Sequence, residues 1–260
     1  MNLSIHLAAA ALMTLGTLDR TDAAELSLEQ VEATLKSASA QSPADLAGKD
    51  LSDMDLSHVD FRNANLRGTS FFGSKLVQAD FRGAHLEGAN LNGAWLMGTN
   101  FSGAHMAQAS LLSVVVLGGQ VKQMPSFKGA DLTGVKMIAD LPGADLSGAN
   151  FSNAKVGVNI KNQGMGQMRT DLSNANLAGV NLAGADFNRS LMAFANLKGS
   201  NLRGTIFFRV KLAGADLTGA DVTGADFTEA DLAGTLMREV KGLDQAKGLD
   251  QAENYDKAIR

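Results

Sequence analysis

The chain has 260 residues, no cysteine, 28 glycines, three prolines and single Trp and Tyr residues. Without cysteine there can be no disulfide, thiolate nucleophile or cysteine-based zinc site. The net charge of −4 argues against binding to a nucleic-acid backbone, which requires a basic face, and is too mild to establish an acidic mimic of one.

The first predicted element is an apolar run, Leu7 to Leu18 (LAAAALMTLGTL), followed by small residues at Ala23 and Ala24. It has the length of a signal-peptide core and is too short to span a bilayer as a mature helix. Residues 1–24 therefore read as a signal peptide, although the leading MNLSIH carries no Lys or Arg. The alternative is a buried amphipathic N-terminal helix. Export implies a periplasmic or secreted protein with no transmembrane span in its mature form; without export the protein is cytoplasmic.

Next, Ser27-x-x-Gln30 begins a capping-box pattern, and Leu28, Val31 and Leu35 share one helical face. A helix at about 27–38 is predicted inside an N-terminal cap, 25–43.

From Ala44 an apolar residue recurs every fifth position: Leu46, Leu51, Leu56, Phe61, Leu66, Phe71 and on to Val116. A small residue precedes it by two, Asp or Asn often lies between, and Gly often follows by two, as at Gly68 and Gly83. A period of five fits neither an α-helix nor a strand. It fits a chain that turns a corner every five residues and keeps its apolar residues inside, with Gly suited to the corner. Phe61, Phe81 and Phe101 are spaced by 20, as are Phe187, Phe207 and Phe227. Twenty residues make four sides, so each Phe set should stack ring above ring, one strand spacing of about 4.8 Å apart.

Units such as Ala89-Asn90-Leu91, Ala144-Asp145-Leu146 and Ala225-Asp226-Phe227 resemble the pentapeptide repeat family, whose consensus is A(D/N)LXX. The resemblance covers residues 44–240. It implies an all-β fold, a right-handed quadrilateral β-helix with the central Leu or Phe and the preceding Ala pointing inward. It implies little about function, which resides on outer faces.

The repeat slips in the middle. Val121 to Phe127 is one residue too many, with Pro125 inside, and Met137 to Leu141 is one too few. Residues 157–169 carry no clear repeat. Segments 117–126 and 157–169 are read as excursions from the helix, either binding loops or distorted coils without a role. A second regular run then extends from Leu172 to Met237, and residues 201–216 nearly copy residues 65–80. KGLDQA at 241–246 repeats at 247–252, and ENYDKA follows. Residues 241–260 are read as short helical turns covering the last coil. Because some relatives dimerise through a C-terminal element, a homodimer joined at an end cap is an alternative to a monomer.

The search for chemistry is short. His85 and His105 should stack on one outer face, but Asn65 is the rung below and no third strong ligand is evident, so no metal site is assigned. Asp216, Asp221, Asp226 and Asp231 follow the repeat onto different sides and do not converge on a cleft; a filled β-helix is expected to hold no pocket. No GxSxG, P-loop or nucleotide fingerprint is present. The reading is a non-enzyme without catalytic residues or cofactor.

One outer patch departs from the pattern. Trp95 stands where Asp or Asn is normal, and Val115 is its counterpart 20 residues on. Val77, Met97 and Leu117 follow their central residues at the same interval. These five should form an exposed apolar strip, a candidate protein interface unless segment 117–126 covers it.

The leading functional expectation is an exported, non-enzymatic scaffold or protein-binding module. Some members of the family resemble B-form DNA in shape and charge, bind DNA gyrase and protect it from quinolones, and their loops interrupt the coil as this chain's two breaks do. That makes a gyrase-binding mimic an alternative, against which stand the mild charge and the signal segment. An exported effector is the third reading.

Overall fold

The computed structural model describes residues 26–39, 41–116, 123–157 and 169–260; the expected signal segment lies outside them. From Asp45 onward the chain winds into a stack of coils joined by parallel bridges.

Each five-residue side accounts for its backbone hydrogen bonds. At the unit around Leu66, Asn65 N–H donates to Ala44 O in the coil before, and Leu66 N–H to His85 O in the coil after. Gly68 N–H reaches Glu87 O, and Thr69 N–H closes a turn on Leu66 O. The remaining N–H, one residue past the apolar centre, is taken by the Asp or Asn side chain, as in Arg62 N–H to Asp60 Oδ1 (3.1 Å) and Thr218 N–H to Asp216 Oδ1 (3.0 Å). That is the physical reason for the acidic or amide residue: it supplies the acceptor that the turn leaves short. The third residue of each turn takes a positive φ, as at Gly68 (65°) and Asn63 (56°), the requirement of a type II turn.

The bridges define four ladders. The first side runs Asp45, Asn65, His85, His105, Asp131, Asn150, Asn181, Asn201, Asp221, Lys241. The second, third and fourth sides start at Asp50, Asp55 and Asp60. On the second side the ladder lengthens locally into β1 (Ser110–Leu112) paired in parallel with β2 (Lys136–Ile138).

The stack continues through the region where the sequence period slips. Asn100 bridges Ser126 and His105 bridges Asp131, six residues beyond the usual interval; Asp140 bridges Asp171. The excursions are narrower than the sequence suggests. Gly98 N–H already meets Gln123 O, Ser126 is a rung of the fourth side, and Thr170 is back in register, its O accepting from Leu191 N–H. Residues 117–122 and 158–168 lie outside the described residues.

Inside, the central residues are fully buried, each contributing about 1.5–3 kcal/mol of burial. Phe61, Phe81, Phe101 and Phe127 stack down the fourth side at 4.7, 5.0 and 5.1 Å. On the second side Phe207 and Phe227 stack at 5.3 Å, whereas Phe187 and Phe207 are tilted by 35° at 6.2 Å. At several units where Thr or Ser replaces the inner Ala, the buried hydroxyl donates to a carbonyl in the coil before, as Thr69 does to Leu46 O (2.8 Å) and Thr99 to Leu76 O (2.7 Å), whereas Ser200 donates within its own turn to Leu197 O (2.6 Å).

At the start, helix α1 (Leu28–Lys36) has a complete capping box: Gln30 N–H donates to Ser27 Oγ and Ser27 N–H to Gln30 Oε1. It buries Val31 in the core and packs Leu35 against it, while Leu28, in the first turn, stays 40% exposed and does not join that face. The far end corrects the expected C-terminal cap. Lys241, Lys247, Glu253 and Ile259 are the final rungs of the four ladders. The six-residue repeats are therefore sides of the last coil, with 3₁₀ turns Leu243–Gln245 and Tyr255–Lys257 adding one residue per corner. Leu243, Leu249 and Tyr255 point into it, partly buried against the core. Among the described residues no helix is long and apolar enough to cross a membrane.

Candidate interaction face

The third side carries Asp55, Lys75, Trp95 and Val115, and resumes with Asp140, Asp171, Leu191, Lys211, Asp231 and Glu253. At Trp95, Val115 and Leu191 an apolar side chain replaces the Asp or Asn that would accept the turn N–H. The fold loses a hydrogen-bond acceptor at each, and such local departures from the pattern concentrate where function is selected.

The structure divides the five residues of the expected strip. Trp95 is 39% exposed, while Val77 and Val115 are half-buried. Met97 is only 3% exposed, which corrects its assignment to the surface. Its backbone is held in the regular stack, Gln78 N–H taking Met97 O and Gly98 N–H taking Gln123 O. Leu117 lies outside the described residues. Trp95 and Val115 thus remain as adjacent apolar rungs on one face.

That face also holds a hollow, contrary to the expectation of a pocket-free surface. Between Val115 and Asp140 the third ladder has no bridge among the described residues. There a shallow depression of about 410 Å³ opens, lined by Val114, Ile138, Ala139, Asp140, Arg169, Asp171 and Leu191. The interior is filled as expected; the one-residue deletion near Met137 opens the surface instead. Burial, and then the charge of neighbouring Asp171, push the Asp140 carboxyl above the usual carboxylate range. A second hollow, about 160 Å³, lies against the corner between the second and third sides and is lined by Arg169, Arg189, Arg209, Lys211, Glu229 and Glu253. A third, about 480 Å³, lies between α1 and the corner at His58.

His85 and His105 stack at 4.7 Å on the first side. The rung beyond them is Asp131, which the insertion brings into register. Asp131 Oδ1 already accepts from Thr133 N–H (3.1 Å) and Thr133 Oγ1 (2.6 Å), and His85 Nδ1 lies 2.8 Å from Arg67 Nη2. Asp131 and His85 thus already have other partners, and no group of three metal-ligating residues forms among the described residues. Asp216, Asp221, Asp226 and Asp231 lie on the fourth, first, second and third sides in turn.

Five acids on the other faces are paired across or within coils. Arg62 meets Asp60 (2.6 Å), Arg82 meets Asp80 (2.6 Å), Arg67 meets Glu87 (3.2 Å), Lys198 meets Asp216 (3.1 Å) and Arg203 meets Asp221 (3.0 Å).

Over residues 44–71, 64–103, 139–156, 170–207 and 205–241 the chain matches the family described as pentapeptide repeats, in eight copies. Solved structures of similar fold include HetL from the cyanobacterium Nostoc sp. strain PCC 7120, a pentapeptide repeat protein involved in heterocyst differentiation regulation. It is 23% identical, covers 90% of this chain and 94% of HetL, and gives a TM-score of 0.41. Full-length QnrB1, a plasmid-mediated fluoroquinolone resistance protein, is 18% identical over 82% of this chain and 92% of its own, with a TM-score of 0.48. A pentapeptide repeat protein of the Arabidopsis thaliana thylakoid lumen is 38% identical over 38% of this chain and 67% of its own, with a TM-score of 0.25. No curated protein matches the chain.

Proposed function

Because this chain belongs to the pentapeptide repeat family of right-handed β-helix solenoids, we propose that it is a non-enzymatic scaffold that binds a protein partner through its third side. The observation that carries this reading is the placement on one face of Trp95, Val115 and Leu191, each in place of a turn-stabilising Asp or Asn, with Leu191 lining the 410 Å³ hollow of that face. Partly exposed aromatic and aliphatic anchors beside a hollow are what protein interfaces use. Helix α1 and the six-residue coil then serve to close the two ends of the stack.

A photo-crosslinking residue placed at Trp95 tests it in the native cell. A discrete adduct from position 95, absent from a probe at Asp80 on the fourth side, supports the third face; equal adducts from both positions, or none from either, defeat it. Export is part of the proposal and rests on the Leu7–Leu18 run alone. N-terminal sequencing of the protein from fractionated cells checks it, and an uncleaved cytoplasmic chain overturns it.

The gyrase-mimic reading has less physical support. A duplex mimic needs uncompensated columns of negative charge, and here Arg62, Arg67, Arg82, Lys198 and Arg203 each neutralise an acid on the helix surface.

A further inference from the structure

Arg169, Arg189 and Arg209 recur at intervals of 20 residues. The coil register places Arg189 and Arg209 one above the other on the corner between the second and third sides, and Arg169 lines the same hollow. Nothing in the fold requires arginine there. Earlier coils put Gly73 and Gly93 at this corner, with φ of 67° and 69°. Arg189 and Arg209 adopt the same left-handed conformation, φ 63° and 57°, at a cost of roughly 1–2 kcal/mol each for a residue with a Cβ. Guanidinium groups one strand spacing apart also repel one another. Asp53, Ser113 and Glu229 take the same conformation at this corner in other coils (φ 58°, 56° and 55°), so the turn itself does not call for arginine.

The neighbouring acids compensate only part of it. Arg209 Nε meets Glu229 Oε2 at 2.5 Å, and Lys211 Nζ meets Glu253 at 3.0 Å and Asp231 at 3.8 Å. Arg169 and Arg189 have no ion pair among the described residues. Arg189 stands 6.0 Å from the centre of the Phe208 ring, with Arg209 at 4.9 Å. Among the described residues, Asn188 Oδ1 and Arg189 Nε are buried without a hydrogen-bond partner, beside two guanidiniums that have no ion pair there.

We infer that this corner is a carboxylate-binding subsite for an acidic, apolar segment of a protein partner. The inference rests on the third side being a protein-binding face. Three features select a protein carboxylate over a polyphosphate chain. The hollow, about 160 Å³, admits one small oxyanion. Glu229 and Glu253 on its rim repel a polyanion. Arg169 lines both this hollow and the apolar one with Val114, Ile138 and Leu191, so a segment can place an Asp or Glu against Arg169 and Arg189 and a neighbouring apolar side chain beside Leu191.

The test uses the full chain and a fluorescein-labelled hexapeptide of alternating Leu and Glu, read by fluorescence anisotropy at low salt. The R169A/R189A double variant should bind about tenfold or more weakly, as should wild type offered the Leu–Gln peptide. R189G, which relieves the corner, controls for folding and should also weaken binding. Equal binding of the Glu and Gln peptides, or millimolar inorganic phosphate displacing the Glu peptide as fully as unlabelled peptide does, overturns the inference. A Glu peptide that binds wild type and R169A/R189A alike removes the corner yet leaves the third face standing. Failure of the Trp95 crosslink removes the face itself, so the two failures are distinguishable.

Discussion

Phe101 and Phe127 stack face to face, 5.1 Å apart and 8° from parallel, although the usual 20-residue interval between coils is broken between them. The aromatic column of the fourth side therefore passes through the insertion without a gap. Phe127→Ala should cost about 3–5 kcal/mol, because it opens a cavity under a fully buried ring. Phe127→Leu keeps most of the volume and should cost under about 1.5 kcal/mol. Urea denaturation of both variants checks this; similar losses would mean that the column relaxes around the site.

Arg189→Gly should stabilise the fold by about 1 kcal/mol while weakening peptide binding at the corner. It replaces a side chain at φ 63° with the residue that the conformation favours. A lower melting temperature than wild type would show that Arg189 contributes to folding.

Trp95→Asn places at position 95 the acceptor that most other units have, aimed at Met97 N–H. Stability should change by less than about 1 kcal/mol, the restored hydrogen bond offsetting lost apolar burial. Partner capture through the third side should be lost. Retention of partner binding at wild-type affinity would remove Trp95 from the interface.

Two carboxylates should respond to acid with opposite signs. Hydrogen bonds from the Thr223 side chain and backbone, and Arg203 beside it, hold the Asp221 pKa down to about 2, below its unfolded value of 3.8. Its contribution is present above about pH 4 and is lost as pH falls through 2. Asp221→Asn keeps the turn acceptor but loses the ion pair, so its deficit at pH 7 should shrink between pH 4 and 2. Burial and Asp171 raise the Asp140 pKa, so ionisation there opposes folding above its unfolded value. Asp140→Asn should gain stability at pH 7 and lose that gain in acid. Urea melts across this pH range decide both.

The coil was legible because its determinants are local. A five-residue period, an Asp or Asn that caps its own turn and a Phe every fourth unit each leave a mark on the sequence. What depends on offset between coils was hidden. Phe127 joins the aromatic column, and Asp131 sits beside His105, only because six extra residues reset the register, and a fixed interval of 20 misses both. The arginine corner did carry the interval of 20, but charges at a corner read as ordinary solvated residues until the unpaired atoms around Arg189 are seen. Met97 followed the strip pattern and is nonetheless buried, whereas Phe72 at the equivalent position of its unit is 51% exposed, a difference that no interval along the chain records. The KGLDQA repeats kept a period of six, which suggested turns over the end rather than a coil with longer sides.

Those longer sides have a consequence for assembly. Bridge partners drift apart along the last coil, from Asp221 with Lys241 through Asp226 with Lys247 and Asp231 with Glu253 to Leu236 with Ile259. All four rungs still bridge a coil with five-residue sides, so the extra residues are taken up at the corners. Those longer corners stand at the outer edge of the coil, where they crowd the approach of any further strand and blunt the hazard of head-to-tail growth that an open strand edge carries.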